Sequence, residues 1–396
     1  MSNTTYTPAP KTGGDVRDNM PALLALGLAC CLAVTTEMLP VGLLPSIGDA
    51  FGVGASTTGR LVTVFAVMVA VFSVPLTLAT RRMPRKPLIV ATVSGYLLSN
   101  VVIFLAPSFA VIAAGRVIGG LSHALFFAVC IGYVPRLVES GQVGRGLAIV
   151  GGGSTAGFVL GVPLSTALGA AVGWRNAFLV LAVAAAVALA LVIKFLPAVP
   201  GGKAPTGSGS RSARANLGVV VSSNMITFIG HYTVYTYISV VLLTAGASES
   251  SIGPLLLVCG VCGLVGLWCT GRSIDRRPRG TVLVVLALLA ASLLGIALGQ
   301  QWLALALLAV GLWNGVFGGV PAIYQTSAVR ALPDSPEVAG AWINATANVG
   351  IALGALIGGS VLQSDSAITY LAIIGATMVG VGLLIAVVGK RAFPAA

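Results

Sequence analysis

The chain has 396 residues, 57% of them hydrophobic and only 8% charged, whereas a water-soluble protein carries roughly a quarter charged residues. That balance excludes a soluble globular domain and points to a membrane protein. The net charge of +12 would suit a nucleic-acid partner, but the placement of the cations along the chain excludes one.

Apolar runs of about 20 residues, each long enough to cross a hydrocarbon core as a helix, recur from end to end. Twelve spans are expected, at 21–45, 57–79, 88–106, 109–135, 145–171, 176–196, 217–245, 251–271, 281–299, 302–329, 338–362 and 368–389. The first twenty residues are polar and the first run is too long for a signal-peptide core, so span 1 reads as retained and residues 1–20 as a tail. Of the 22 Lys and Arg, all but Arg60, Arg116 and Arg175 fall in that tail, in the loops from even to odd spans, or in the tail 390–396. This positive-inside bias places both termini in the cytoplasm.

Span 1 contains "TTEMLPVGLL", in which Glu37 is the one acid expected inside any span. A charge at a membrane helix centre costs about 2.5 to 3.5 kcal/mol, so it needs a reason. Span 1 runs outward and span 4 inward, which puts Glu37 and Arg116 at a common depth, roughly 10 to 12 Å below the outer surface at 1.5 Å per residue. His123 lies seven residues beyond Arg116, near the same helix face and near mid-membrane; His231 sits mid-way along span 7. Two readings of Glu37 stand, a structural ion pair with Arg116 or a proton-exchanging group. The histidines read either as hydrogen-bonded structural groups or as substrate contacts and proton relays.

The stretch 197–216 is rich in Pro, Gly and Ser and reads as a cytoplasmic linker between two six-helix bundles, 21–196 and 217–389. Polar features repeat across it. "TRRMPRK" (80–86) recurs as "IDRRPRG" (274–280), 194 residues later; Glu37 corresponds to His231 at the same offset. Gly153, Gly157 and Gly161 match Gly350, Gly354 and Gly358 at an offset of 197. Such internal repeats mark parallel halves with a site between them near the midplane. Tyr232, Tyr235 and Tyr237 in span 7 offer rings and hydroxyls to a ligand, and Asn314, Asn344 and Asn348 in spans 10 and 11 offer neutral polar groups, with helix–helix contact as the alternative. The six cysteines fall within spans; Cys259 and Cys262 form a CxxC without a second pair, and no disulfide or metal site is expected. There is no phosphate-binding loop of the G-x-x-x-x-G-K-[ST] type and no catalytic constellation, so neither ATP drive nor an enzyme is expected, and no cofactor is implied.

The segments "TTEMLPVGLLPSI", "GRVIGGLSHALF", "GFVLGVPLSTALG" with "GWRNAF", and "GHYTVYTYI" resemble the major facilitator superfamily along the whole chain. The resemblance is to the drug/proton antiporter branch, near the bacterial sugar-efflux, arabinose-efflux and chloramphenicol-resistance permeases. It implies an all-α fold of twelve transmembrane helices in two pseudo-symmetric bundles, in the bacterial inner membrane. It also implies a monomer that exchanges protons for a small molecule, with lipid as its other partner. The loop after span 2 resembles the family's G-x-L-A-D-R-x-G-R-K signature, which locks the halves together. Thr77, Arg81 and Pro84 replace its first glycine, acid and second glycine, while Arg82, Arg85 and Lys86 remain. The second copy keeps Gly271, Asp275, Arg276 and Arg279. A charge latch would therefore rest on Asp275 with Arg276, and the first copy binds lipid phosphates as its alternative. Span 5 resembles the antiporter motif, with Gly157, Gly161 and Pro163 as flexing elements; Pro163 follows Val162 rather than a glycine, and Ser165 stands where a glycine is common. The resulting expectation is export of a small neutral or amphipathic solute, with Glu37, Arg116, His123 and His231 in proton coupling and Glu37, His123, His231, Tyr232, Tyr235, Asn314, Asn344 and Asn348 on the substrate. A proton-coupled importer of a sugar or nucleoside is the alternative.

Overall fold

The computed structural model describes residues 14–139, 142–200, 210–274, 276–299, 301–333, 336–362, 364 and 366–393. Among them the elements are helices in this order: α1 (Met20–Phe51), α2 (Ala55–Thr80), α3 (Arg85–Phe104), α4 (Phe109–Leu137), α5 (Val143–Val172), α6 (Trp174–Phe195), α7 (Arg211–Tyr235), α8 (Ile238–Thr244), α9 (Glu249–Ile274), α10 (Pro278–Gly299), α11 (Leu303–Phe317), α12 (Val320–Ala331), α13 (Pro336–Val361) and α14 (Ala367–Val388). Eleven stretches are long and apolar enough to cross a membrane, with α11 and α12 taken as one, and a bent α5 makes twelve. The bend of 46° falls where Pro163 follows Arg145–Gly161, since proline lacks the amide hydrogen and crowds the preceding turn.

Three spans differ from their expected form. α1 continues through Pro40 and Pro45 to Phe51 and stops at Gly52, whose φ of 64° lets its N–H return to the Asp49 carbonyl, a left-handed helix stop. Span 7 is broken into α7 and α8 around Thr236 and Tyr237, and span 10 into α11 and α12 at Gly318 and Gly319. The linker expected to reach 216 gives way to α7 at Arg211, because the Ser210 side chain accepts a hydrogen bond from the Ala213 N–H at 3.1 Å and so caps the helix.

Two buried cores form. One draws on residues from Val16 to Val199; the other spans Leu217 to Phe393 and adds Val34, Met38, Val41, Val62 and Ala66 from α1 and α2. Within each half, a glycine row lets two helices touch backbone to backbone. A Cβ on Gly157 would lie 2.7 Å from the Cys31 carbonyl and 2.8 Å from Val34 Cβ; on Gly350 it would lie 2.7 Å from the Met225 carbonyl and 2.5 Å from Phe228 Cβ. Gly161 meets Thr35, and Gly354 meets Ile229. The partners thus fix the correspondence as Gly157 with Gly350 and Gly161 with Gly354, 193 apart. The expected offset of 197 is corrected by one helical turn, because a four-residue repeat looks the same in either register.

The two chain tails mark one face of the bundle, here the tail face. Gly14 pairs with Val138 beyond the end of α4. At the same face Lys86 Nζ donates to the Ile193 carbonyl at 2.9 Å, near the end of α6, and the Arg85 N–H to that of Val199 at 2.9 Å. In the second half, Arg279 donates to the carbonyls of Val387 at 2.8 Å and Phe393 at 3.1 Å, beyond the end of α14. The opposite, far face is closed by Tyr237. Its hydroxyl donates to the Ala355 carbonyl at 2.7 Å, and its ring occupies the space beside Gly59, Gly358 and Gly359, where any Cβ would collide with it. Hydrogen bonds across the seam between the halves join Thr63 to the Ala352 carbonyl at 3.4 Å, Asn344 to Ser73 at 3.4 Å, Tyr232 to Met38 Sδ at 3.7 Å and Ser239 to the Val41 carbonyl at 3.4 Å.

Candidate functional site: a central cavity open at the tail face

A cavity of about 540 Å³ lies between the halves. Ser73 and Thr77 near the end of α2, Gly151 and Ser154 near the start of α5, Gln325 on α12 and Gly340 near the start of α13 all line it, and each belongs to the tail-face end of its helix. Gly151 and Gly152 border open space, and a methyl group added to either would have nothing within 4 Å of it. The cavity therefore opens at the tail face, and Tyr237 is not among the residues that line it.

Glu37, His123, His231, Tyr232, Tyr235, Asn314, Asn344 and Asn348 all line this cavity, as does Pro163. Arg116 does not. It is fully buried behind the wall, where its guanidinium donates to the carbonyls of Thr36 at 2.6 Å, Glu37 at 2.9 Å and Leu61 at 3.1 Å and lies 4.1 Å from the Phe65 ring centre. The contact to the Glu37 carbonyl puts both residues at one level, but the carboxylate itself turns elsewhere. Side chains lean toward the N-terminus of their own helix, so on antiparallel α1 and α4 Glu37 leans to the tail face and Arg116 to the far face. Glu37 Oε2 accordingly faces His123 Nε2 at 3.6 Å. That separation exceeds a direct hydrogen bond. His123 is itself boxed by Phe65, Tyr96 and Phe127, at ring distances of 5.3, 6.2 and 4.9 Å.

The facing wall is aromatic. His231 stacks on Phe317 at 3.3 Å with an interplanar angle of 7° and lies 5.0 Å from the rings of Tyr232 and Tyr235 and 4.9 Å from Trp313. Phe317 went unforeseen, although it stands 194 residues after His123, as His231 stands 194 after Glu37. Asn224 on α7, one face with His231 at two turns' spacing, also lines the cavity and also went unforeseen. Asn314 spends its amide on the Val310 carbonyl at 2.9 Å. Asn344 and Asn348 face one another along α13.

Of the expected gating groups, Pro163 lines the cavity and the others described do not. Gly157 and Gly161 pack α5 onto α1. Arg82 and Arg276 are exposed on the tail-face loops. Arg85 starts α3, and Arg279 holds the end of α14. Asp275 lies outside the described residues. Among the described residues no group of His, Cys, Asp and Glu is arranged to hold a metal ion.

Two pseudo-repeated helical bundles around a central cavity that opens on one face define a multi-pass membrane transporter. The family model of the Major Facilitator Superfamily matches residues 26–355, and the chain belongs to that family. Two chloramphenicol efflux pumps from strains of Mycobacterium tuberculosis are each 33% identical over 383 residues, spanning 94% of this chain and 92% of their own. Among solved structures, a D-xylose–proton symporter superposes with a TM-score of 0.75 at 16% identity, covering 95% of this chain and 98% of its own. A human organic anion transporter gives 0.72 at 19% identity, covering 93% and 99%. At those identities the structural likeness speaks for the fold alone.

Proposed function

We propose that the protein is a proton-coupled antiporter that exports a small neutral or amphipathic solute, such as a sugar or an antibiotic, across a bacterial inner membrane by alternating access. The observation that carries this reading is the Glu37–His123 pair in the wall of a cavity open to one face. Ionisable groups inside a membrane bundle are functional-site candidates by default, proton relays among them. With the tail face in the cytoplasm, as the positive-inside bias requires, the cavity is inward-open and ready to load a cytoplasmic solute. Glu37 carries the proton, His123 shares it, and Arg116 fixes the backbone that presents Glu37. His231, Tyr232, Tyr235, Asn314, Asn344 and Asn348 meet the substrate. The halves, taken as 21–196 and 217–389, rock against one another, and the glycine rows of α5 and α13 with the bend at Pro163 accommodate the motion. The pump names of the relatives support export as the direction.

In vesicles with an imposed pH gradient, Glu37→Gln is expected to abolish proton-coupled efflux of chloramphenicol while the purified protein keeps its monomeric elution and helical signal. Full coupled efflux in that variant would remove Glu37 from the mechanism, and gradient-driven accumulation in the opposite direction would make the protein an importer.

A further inference from the structure

Five residues of the cavity wall, Thr77, His123, Asn224, His231 and Asn348, each carry a buried side-chain oxygen or nitrogen with no hydrogen-bond partner among the described residues. Buried polar atoms are almost always paired; Thr77 and His123 belong to the first half's side of the cavity, whereas Asn224, His231 and Asn348 belong to the second half's, so three unpaired atoms gather on the wall that faces Glu37.

Two of the five are carboxamides whose orientation the neighbours dictate. The Asn224 amide donates to the Ile343 carbonyl at 3.1 Å and to Thr346 Oγ1 at 3.0 Å. The carbonyl can only accept, and the Thr346 hydroxyl spends its own hydrogen on the Trp342 carbonyl at 2.8 Å. Nδ2 must therefore point at this pair, which leaves Oδ1 as the free atom. The Asn348 amide donates to the Asn344 carbonyl at 3.0 Å, which fixes its oxygen in the same way. Both Asn224 Oδ1 and Asn348 Oδ1 are unpaired, on side chains from residues 0% and 3% exposed. Such acceptors can be satisfied only by hydrogen-bond donors. Neither oxygen meets solvent in this conformation, and both residues line the cavity, so a donor-bearing occupant that turns either side chain toward it is the partner that completes them. Beside them lie Phe228, Tyr232, Phe317 and His231, a wall of ring faces and edges suited to a planar ring.

We infer that Asn224 and Asn348 form the specificity-determining pair of the cavity, and that they select a neutral aromatic solute bearing hydroxyl or amide N–H donors. This rests on the transport reading above, and it narrows that reading from neutral solutes in general to arenes with donors. A cavity that took apolar or acceptor-only solutes would leave both oxygens unpaired, a penalty that discriminates far more strongly than a misfit methyl group.

The test is direct binding to the purified full-length protein, read by calorimetry, with thiamphenicol and florfenicol as probes. The two share one aromatic scaffold and differ at a single position, a hydroxyl in the first and a fluorine in the second. The wild-type protein is expected to bind thiamphenicol about tenfold more tightly. Asn348→Leu, which breaks bonds only within its own helix, and Asn224→Leu should each bring that ratio to within about twofold. A variant that merely loosened packing would weaken both compounds alike and leave the ratio standing. Equal binding of the two by the wild type, an unchanged ratio in the Asn348 variant, or no binding of either compound overturns the inference. None of these results touches proton coupling, which the Glu37→Gln efflux assay decides separately.

Discussion

The two halves put different chemistry at the same places. In the first, Glu37 on α1 faces His123 on α4 at 3.6 Å; in the second, His231 on α7 lies flat on Phe317 at 3.3 Å, each residue 194 positions after its counterpart. Arg116, which fastens α1 through three backbone carbonyls, corresponds by the same spacing to Val310, an apolar residue fully buried in the other core. Where the arginine braces the helices, α1 and α4 run unbroken; where it is missing, the equivalent spans are interrupted at Thr236–Tyr237 and Gly318–Gly319. One scaffold thus supports an ionisable wall held rigidly and an aromatic wall on segmented helices. On the function proposed above, coupling would belong to the first half and recognition to the second.

Substitutions at matched places test that division, in falling order of expected effect. Arg116→Leu strands three buried carbonyls and should cost about 3 kcal/mol or more of stability, seen as a large fall in melting temperature in detergent. Val310→Ala, at the matching place, removes only apolar volume and should cost about 1 to 2 kcal/mol; equal losses would mean that the arginine is not a brace. His123→Phe rebuilds the second half's pairing in the first. It should cut solute-driven proton release at least about tenfold while solute binding stays near wild type, and a parallel loss of both would erase the separation of roles. The smallest effects concern the repeat itself. Gly157→Ala and Gly350→Ala each force a methyl to within 2.7 Å of a facing carbonyl, so both should destabilise by about 1 to 3 kcal/mol. Gly151→Ala, facing open space, should instead gain about 0.5 to 1 kcal/mol from helix propensity. Unequal effects of the first two would reject the 193-residue correspondence.

Much of this architecture is readable in the chain itself. Hydropathy alone marks twelve spans, because the bilayer leaves a chain few choices. The polar residues in mid-span reach the cavity for the same reason, since lipid offers them no partner. What periodicity does not encode is direction within the wall. The shared depth of Glu37 and Arg116 suggests an ion pair, yet antiparallel helices tilt the two side chains apart and deliver the carboxylate to His123. Phe317 and Asn224 escape notice because an aromatic ring and an asparagine in an apolar run have ordinary packing roles; the repeat offset is the available signal for Phe317. The latch expected of Asp275 with Arg276 falls partly outside the described residues. What the motif does not spell out is that Arg279 holds the tail of its own bundle.

The seam between the halves has a further consequence for turnover. Its hydrogen bonds span 3.4 to 3.7 Å, whereas Arg116 and Tyr237 bind within their own halves at 2.6 to 3.1 Å. Even the ring that plugs the far face anchors its hydroxyl on its own side and offers Gly59 nothing but surface. Parting there would sacrifice dispersion and little polar energy, so on the transport cycle proposed above the occupancy of the cavity, rather than the seam, would decide which way the molecule tips.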